Sequence, residues 1–417
     1  MGRKPMERLA NFMHLRVLFR TLGLSALTAC IVVIALPLYP RLLGREEWGQ
    51  IALLLIAQTS ASVLESGLFQ AAVRDLALHP HRASMLARFW MPGYVVLSVV
   101  ACLLALFFAW GMARTPLWTM LAFSFMAGMS IICALLNTLD IGTGHQHRTA
   151  ARTALTTMAR HGLGIMAAWL WPNLIGVVVV FLSVGVLEFL WVQRQLAHLS
   201  IDWLSIPWKQ GLNWALRRAP WMLVASALGA WLSQADRLLA GYTLQPRDTG
   251  LYLIVAQYCM GLVQFQYPIQ RELYKHFQLP RHRSDWLPFP RNVIVHTAAL
   301  SALPPLIGAI LAPWIFRWIT MASPQDAALA THWAWILLAC IFINAMGSIT
   351  YMAISRLRMD KALAFSNLAG GLLGLAVFLF SRQFLPLYAS AIYWLGLSIG
   401  LLTSSAGFLW YVRHRRL

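Results

Sequence analysis

Ala219–Tyr252, with the sequence APWMLVASALGAWLSQADRLLAGYTLQPRDTGLY, is the stretch that decides the fold we predict for this chain. It begins as an apolar segment long enough to cross a membrane as a helix. Steps of three or four residues place a polar stripe on one face of that helix. The stripe consists of Ser226, Gly229, Ser233 and Asp236. Because a carboxylate at the centre of a membrane helix costs about 2.5–3.5 kcal/mol on insertion scales, we expect Asp236 to face the protein interior or a water-filled cavity.

The composition of the whole chain is that of a membrane protein. Of the 417 residues, 59% are hydrophobic and 11% are charged, whereas a soluble chain carries about 25% charged residues. Long apolar runs predict about twelve membrane spans. The predicted spans are residues 20–39, 50–72, 89–112, 116–139, 152–171, 173–191, 219–241, 250–268, 292–316, 332–355, 362–381 and 386–411.

These spans predict an all-α polytopic membrane protein with two six-helix bundles around a central cavity. Residues 1–200 are predicted to form the N-terminal bundle, and residues 219–417 the C-terminal bundle. Between them, residues 201–218 mix Trp and Leu with basic residues. That pattern is typical of a helix lying in the membrane interface.

Lysine and arginine are distributed unevenly between the predicted loops. With both termini in the cytoplasm, about 25 of them fall on the cytoplasmic side and about 7 on the outer side, as the positive-inside rule requires. This asymmetry accounts for most of the net charge of +19. The basic character of the chain therefore does not indicate binding of nucleic acid.

The sequence contains no arrangement typical of an enzyme. No nucleophile–base constellation, phosphate-binding glycine loop or metal motif is present, so we expect a membrane transporter without a cofactor or a bound metal. The histidines of Gly144–His147 are expected to be solvated polar residues. The five cysteines lie inside apolar runs and predict no disulfide framework.

Arg160 interrupts the fifth predicted span near its middle, at the depth of the membrane midplane. A guanidinium group binds phosphate through two parallel hydrogen bonds, which makes this residue the best candidate to meet an anionic substrate. The alternative is a structural ion pair with a buried carboxylate. The carboxylates considered for that pair are Glu65, Asp236 and Asp140.

Other polar residues are predicted to line the same cavity from both bundles. They are Glu65, Arg74, Asp236, Arg237, Gln257, Gln264 and Asn344. Candidates for coupling transport to an ion gradient are Glu65, Asp236 and Asp140. Alternatively, the Arg237 side chain reaches the membrane surface, and Arg74 is one of the basic residues on the cytoplasmic side. Glu188 is expected at a helix end in the membrane interface.

Several of these segments together resemble the Wzx-type polysaccharide flippases of the multidrug/oligosaccharidyl-lipid/polysaccharide (MOP) exporter superfamily. Leu36–Gly49 is similar to the family's first loop, in which a short charged turn is closed by an aromatic residue and a glycine. Glu65–Leu68, followed by Arg74, resembles an Asp-x-Gly-Leu motif and a later Arg, with Glu in place of Asp. Asp236–Arg237 and Gly250–Tyr252 resemble the Asp-Arg and Gly-x-Tyr pattern at the seventh and eighth spans.

The resemblance implies a multi-pass protein of the bacterial inner membrane. It implies alternating-access translocation of an oligosaccharide linked to undecaprenyl pyrophosphate, the repeat unit of O-antigen, capsule or exopolysaccharide. The lipid-linked oligosaccharide would be the substrate, and a polysaccharide polymerase and other assembly proteins would be partners. A proton or sodium gradient is the expected energy source.

Two other functions compete with this prediction. A cation-coupled multidrug exporter of the same superfamily would favour an acidic, aromatic cavity over a basic one. A non-transporting membrane scaffold of a glycan-synthesis complex would tolerate the loss of every buried charge.

Overall fold

The computed structural model describes residues 20, 23–24, 26–28, 30–62, 64–112, 115–198, 208–218, 220–263, 291–320, 323–357 and 359–415. In this part of the chain the regular structure is helical. The helices of the N-terminal half are α1 Leu38–Leu43, α2 Arg45–Ser62, α3 Glu65–Leu78, α4 Ala83–Met112, α5 Leu117–Gly142, α6 Gln146–Leu170, α7 Leu174–His198 and α8 Trp208–Arg218. The helices of the C-terminal half are α9 Pro220–Leu232, α10 Ala235–Thr243, α11 Pro246–Val263, α12 Arg291–Thr320, α13 Pro324–Arg356, α14 Asp360–Phe384 and α15 Ala389–Arg415.

Nine helical stretches among the described residues are long and apolar enough to cross a membrane. They are Ala26–Leu43, Glu46–Val73, Ala83–Gly111, Leu117–Gly142, Leu174–His198, Ile294–Ile319, Pro324–Tyr351, Asp360–Phe384 and Ala389–Tyr411. Each overlaps one of the predicted spans. The prediction of a polytopic, all-α membrane protein is confirmed.

The other three predicted spans are also helical, but they differ from a plain apolar helix. The fifth is α6, which is 25 residues long and carries several arginines. The seventh is divided between α9 and α10, and the eighth is α11, whose predicted end lies outside the described residues. The total of twelve spans therefore stays a prediction.

The prediction of one continuous seventh helix is wrong. The chain turns at Ser233 and Gln234, and a new helix begins at Ala235. Asp236 consequently lies in the first turn of α10 rather than on a stripe along one helix. The physical reason is that the free N–H groups and the positive dipole end of a new helix favour a carboxylate in its first turn.

The second predicted span corresponds to the stretch Glu46–Val73, in which α2 and α3 lie on either side of Val63, a residue outside the described part of the chain. α2 ends at Ser62, and α3 begins at Glu65, so that this carboxylate also occupies a first turn. Each half of the chain thus has an acidic residue where a helix begins within the region predicted to span the membrane.

The helices pack mainly against others of the same half. In the N-terminal half α4 lies against α5 and α5 against α7; in the C-terminal half α15 lies against α13 and α14. The halves meet where α2 contacts α11 and where α3 contacts α9. One hydrophobic cluster continues across the first of these contacts and includes Trp48, Ile51, Tyr252 and Val255. This pattern agrees with two bundles, while their exact boundaries stay a prediction.

The described part of the predicted interfacial linker is α8, and residues 201–207 lie outside the described residues. α8 packs on α4, where the rings of Phe89 and Trp214 are 5.3 Å apart. Its other face exposes Trp208 and Leu216. Apolar side chains exposed beside basic ones fit a helix at a membrane surface.

The crossing of α14 and α15 depends on glycines in both helices. A Cβ atom on Gly400 would lie 2.7 Å from the Cα of Gly370, and one on Gly396 would lie 2.9 Å from the Cα of Gly374. Backbones approach this closely only where side chains are absent, as is common between membrane helices.

We predict that Gly400→Ala destabilises the protein, because the added methyl group meets backbone that cannot rotate away. The expected loss is about 1–3 kcal/mol from overpacking, measured as a lower unfolding temperature in detergent. Gly407→Ala is the matched control in the same helix, since nothing lies within 4 Å of its Cβ position. Equal unfolding temperatures of the two variants would contradict this account of the crossing.

Candidate functional site

A buried carboxylate and tyrosine form the centre of a polar cluster in the C-terminal half. Asp236 is 1% exposed, and the Tyr252 hydroxyl donates a hydrogen bond of 2.9 Å to its Oδ2. Trp394 of α15 is a further neighbour of this carboxylate. The cluster therefore joins α10, α11 and α15. The expectation that Asp236 faces the protein interior agrees with this burial.

Arg237 follows Asp236 and is also buried, with 3% of its surface exposed. Its Nη1 donates a hydrogen bond of 2.6 Å to Oε1 of Gln234, the residue that precedes α10. The alternative placement of Arg237 at the membrane surface is therefore wrong. Gln234 lies at the helix break three residues earlier, and its side chain holds the guanidinium of Arg237 inside the protein.

Arg160 lies just beyond the middle of α6, and its partner is Glu188 of α7. The Nη2–Oε2 distance is 3.5 Å, and the two side chains are 27% and 22% exposed. The carboxylates considered from the sequence were Glu65, Asp236 and Asp140, whereas the structure places Glu188 beside Arg160. The expectation that Glu188 lies at a helix end is wrong, because α7 continues to His198.

A second arginine of α6 is held much more firmly. Arg152 is buried, and its Nη2 donates to Asn137 Oδ1 at 2.6 Å and to Asp140 Oδ2 at 2.9 Å. Asp140, one of the candidates for ion coupling, is thus neutralised by an adjacent guanidinium. Binding of a transported cation there would require Arg152 to move away.

Four charged side chains of the N-terminal half lie near enough to Cys133 of α5 to act on its thiol electrostatically. The groups that act electrostatically on its thiol are Glu188, Arg152, Glu65 and Arg160. Four charged side chains from α3, α6 and α7 therefore share one region. Because Asp236 and Arg237 belong to the cluster in the other half, their convergence with these charges on a common central cavity stays a prediction.

Tyr39 connects α1 to the part of α6 that carries Arg160. Its hydroxyl lies 3.3 Å from Nδ1 of His161, and its ring stacks on Trp48 with centroids 5.4 Å apart. Tyr39, His161, Arg152 and Glu188 were not among the predicted site residues. The interruption of an apolar span by Arg160 and His161 was the one signal in the sequence that could have drawn attention to this region.

The remaining predicted site residues that the structure describes belong to α3, α11 and α13. Gln257 of α11 and Asn344 of α13 are half-buried, as is Glu65 of α3. The side chain of Arg74 and the whole of Gln264 lie outside the part of the chain that the structure describes. Their placement in a cavity stays a prediction.

The comparisons with known proteins identify the fold. No protein-family model matches the sequence, and no curated protein matches it. Among solved structures, the inward-facing conformation of a multidrug resistance MATE family transporter of the MOP superfamily is similar, with 12% identity, a TM-score of 0.67, and coverage of 93% of this chain and 94% of that chain. The eukaryotic MATE transporter AtDTX14 has 12% identity and a TM-score of 0.66, with coverage of 96% of this chain and 95% of that one.

A third similar structure is a MOP superfamily transporter from Pyrococcus furiosus Vc1. It is described as having a binding pocket of reverse polarity that suggests a different function. Its identity is 12% and its TM-score 0.53, with coverage of 96% of this chain and 95% of that chain. The chain therefore has a MATE-like fold, which agrees with the prediction of a polytopic all-α membrane protein.

We predict that the Arg152 and Arg247 ion pairs differ sharply in their contribution to stability. Arg152→Gln leaves Asp140, whose side chain is only 13% exposed, without its counter-charge, and breaking a buried pair costs about 3–5 kcal/mol. Arg247 also has a carboxylate at 2.9 Å, that of Asp326, but it is 58% exposed, so Arg247→Gln should cost at most about 1 kcal/mol. Thermal unfolding of both variants in detergent tests the contrast, and a loss of stability as small for Arg152→Gln as for Arg247→Gln would refute it.

Proposed function

We propose that this protein is a flippase that moves an undecaprenyl-pyrophosphate-linked oligosaccharide across the bacterial inner membrane by alternating access. The observation that carries the proposal is a half-buried arginine, Arg160, in the middle of a helix predicted to span the membrane. The O-antigen, capsule and exopolysaccharide repeat units are the substrates of this class. They share a pyrophosphate that must pass through the hydrophobic interior of the membrane.

Arg160 is available to such an anion because its ion pair is loose. The distance of 3.5 Å to Glu188 exceeds the 2.7–2.9 Å or so of a strong charge-assisted hydrogen bond. Its Nε is buried without a hydrogen-bond partner. Because 27% of the Arg160 side chain is exposed, a pyrophosphate oxygen could bind its guanidinium group, whereas the Arg152 guanidinium is already bonded to Asn137 and Asp140.

The other parts of the substrate make different demands. The sugar needs polar walls, for which Gln257 and Asn344 are candidates, while the polyprenyl tail can stay in the lipid. The two halves would then alternate in opening to the two sides of the membrane. Both termini would lie in the cytoplasm, and a polysaccharide polymerase and other assembly proteins would receive the product.

Coupling to a proton or sodium gradient is part of this proposal. Glu65 and Asp236 are the preferred groups, because each carboxylate lies in the first turn of a helix that begins within a predicted span. Asp140 is less suited, since Arg152 already neutralises it. Arg74, Arg237 and Gln264 remain proposed cavity residues.

A cation-coupled multidrug exporter is the second candidate function. It is favoured by the similarity to a multidrug resistance MATE family transporter and by the fully buried carboxylate of Asp236. Such an exporter would bind cationic substrates and would not need Arg160. The two proposals therefore differ in the effect of removing this one positive charge.

We predict that Arg160→Ala abolishes glycan export while the protein still inserts into the membrane. In a strain lacking the wild-type gene, surface glycan should fall at least tenfold, as measured by immunoblotting of the polymer. Arg160→Lys should restore only part of it, because an ammonium group keeps the charge but loses the bidentate geometry. Arg247→Gln serves as the control with an equal change in charge.

Wild-type export by Arg160→Ala, at equal abundance in the membrane, would reject Arg160 as the anion site. Sensitivity to cationic drugs is measured in the same strains. Loss of drug resistance in Asp236→Asn with retention in Arg160→Ala would favour the exporter.

A further inference from the structure

A direct contact joins the two halves of the chain at the ends of α1 and α12. Arg41 Nη2 donates a hydrogen bond of 2.6 Å to the backbone carbonyl oxygen of Trp318. The guanidinium carbon of Arg41 also lies 4.9 Å from the centroid of the Trp318 ring. One arginine therefore makes two different interactions with the same residue of the other half.

The acceptor suits a cation for a general reason. Trp318 lies in the last turn of α12, which ends at Thr320. The last four carbonyl groups of a helix have no partner within it, and the helix dipole is negative at this end. A planar guanidinium can donate to such a carbonyl while it lies over the indole ring.

Arg41 can hold the halves together only if α1 is itself fixed to the N-terminal half. Tyr39 provides this attachment: it is fully buried, stacks on Trp48, and its hydroxyl lies 3.3 Å from Nδ1 of His161. A turn at Leu36–Pro37 precedes α1, and Gly44, with φ of 86°, ends it. α1 is thus a short helix that is anchored on one half by Tyr39 and bonded to the other by Arg41.

A second contact between the halves lies at the same end of α2 and α11. A Cβ atom on Gly250 would be 3.6 Å from Cδ1 of Trp48 and 3.8 Å from the Cα of Gly49. Both helices begin here, and the distribution of basic residues predicts that this end faces the outer side. The outer ends of the halves are therefore in contact.

We propose that α1 is the outer gate of the transport cycle, and that Arg41 holds this gate closed by its two interactions with Trp318. The inference rests on the alternating access of the proposed function. Opening to the outer side would separate Arg41 from Trp318 and Gly49 from Gly250. Release of substrate to that side would need both separations.

Disulfide cross-linking between Gly49→Cys and Gly250→Cys measures whether the outer ends are in contact. The cross-linked fraction is determined by gel mobility after mild oxidation of membranes, with the wild-type chain and its five cysteines as background. The double variant should cross-link efficiently, since the two backbones are close enough for a disulfide. Adding Arg41→Gln should lower the cross-linked fraction at least threefold.

Two further variants distinguish the effect of the Arg41–Trp318 contact from a general effect on charge or folding. Trp318→Leu keeps the carbonyl and removes the ring, and should lower cross-linking less than Arg41→Gln. Arg247→Gln removes an equally charged, exposed side chain that pairs within the C-terminal half, and should leave cross-linking unchanged. The proposal is overturned if the double variant fails to cross-link, or if Arg41→Gln cross-links as well as its parent.

The assay contains no glycan, so its result judges the gate whatever the transported substrate is. Wild-type glycan export by Arg160→Ala, together with cross-linking that Arg41→Gln lowers, would reject the anion site and leave the gate standing. Conversely, unchanged cross-linking in Arg41→Gln would reject the gate and leave the proposed flippase function standing.

Discussion

A helix that stops and restarts within a membrane must find new partners for its backbone groups, because hydrocarbon offers none. This constraint governs the polar cluster around Asp236 in the C-terminal half. At the break after α9, Gln234 is buried, and its side chain binds Arg237. Asp236 then occupies the positive end of the new helix and is stabilised further by the Tyr252 hydroxyl. The interruption of the backbone and the buried carboxylate depend on each other.

The N-terminal half combines a tight and a loose ion pair on one helix. Arg152 is buried and is fixed by two short hydrogen bonds. Arg160 lies two turns later, is more exposed, and is 3.5 Å from the carboxylate of Glu188. The tight pair contributes to holding α5 against α6. The loose pair leaves the guanidinium of Arg160 less tightly bound than that of Arg152.

Hydropathy predicted the fold well because the requirement to cross hydrocarbon acts on each segment separately. The apolar runs of the nine spanning stretches carry that information locally. The break before Asp236 was missed, because no glycine or proline marks the point of interruption. The pairing of Arg160 with Glu188 was also missed, since the residues lie 28 positions apart on two helices. Which carboxylate approaches a given arginine is decided by how helices pack, and a single sequence does not contain that information locally.

The attachment of α8 to α4 has a mechanical consequence. α8 ends at Arg218 and α9 begins at Pro220, with one residue between them. Each residue of extended chain spans at most about 3.6 Å. The distance between the end of α8 and the start of α9 is therefore short, and α8 connects the first half closely to the second. The ends of α4 and α9 that adjoin α8 can rotate relative to each other but must stay close together, so that α8 ties the first half of the chain to the second at this corner.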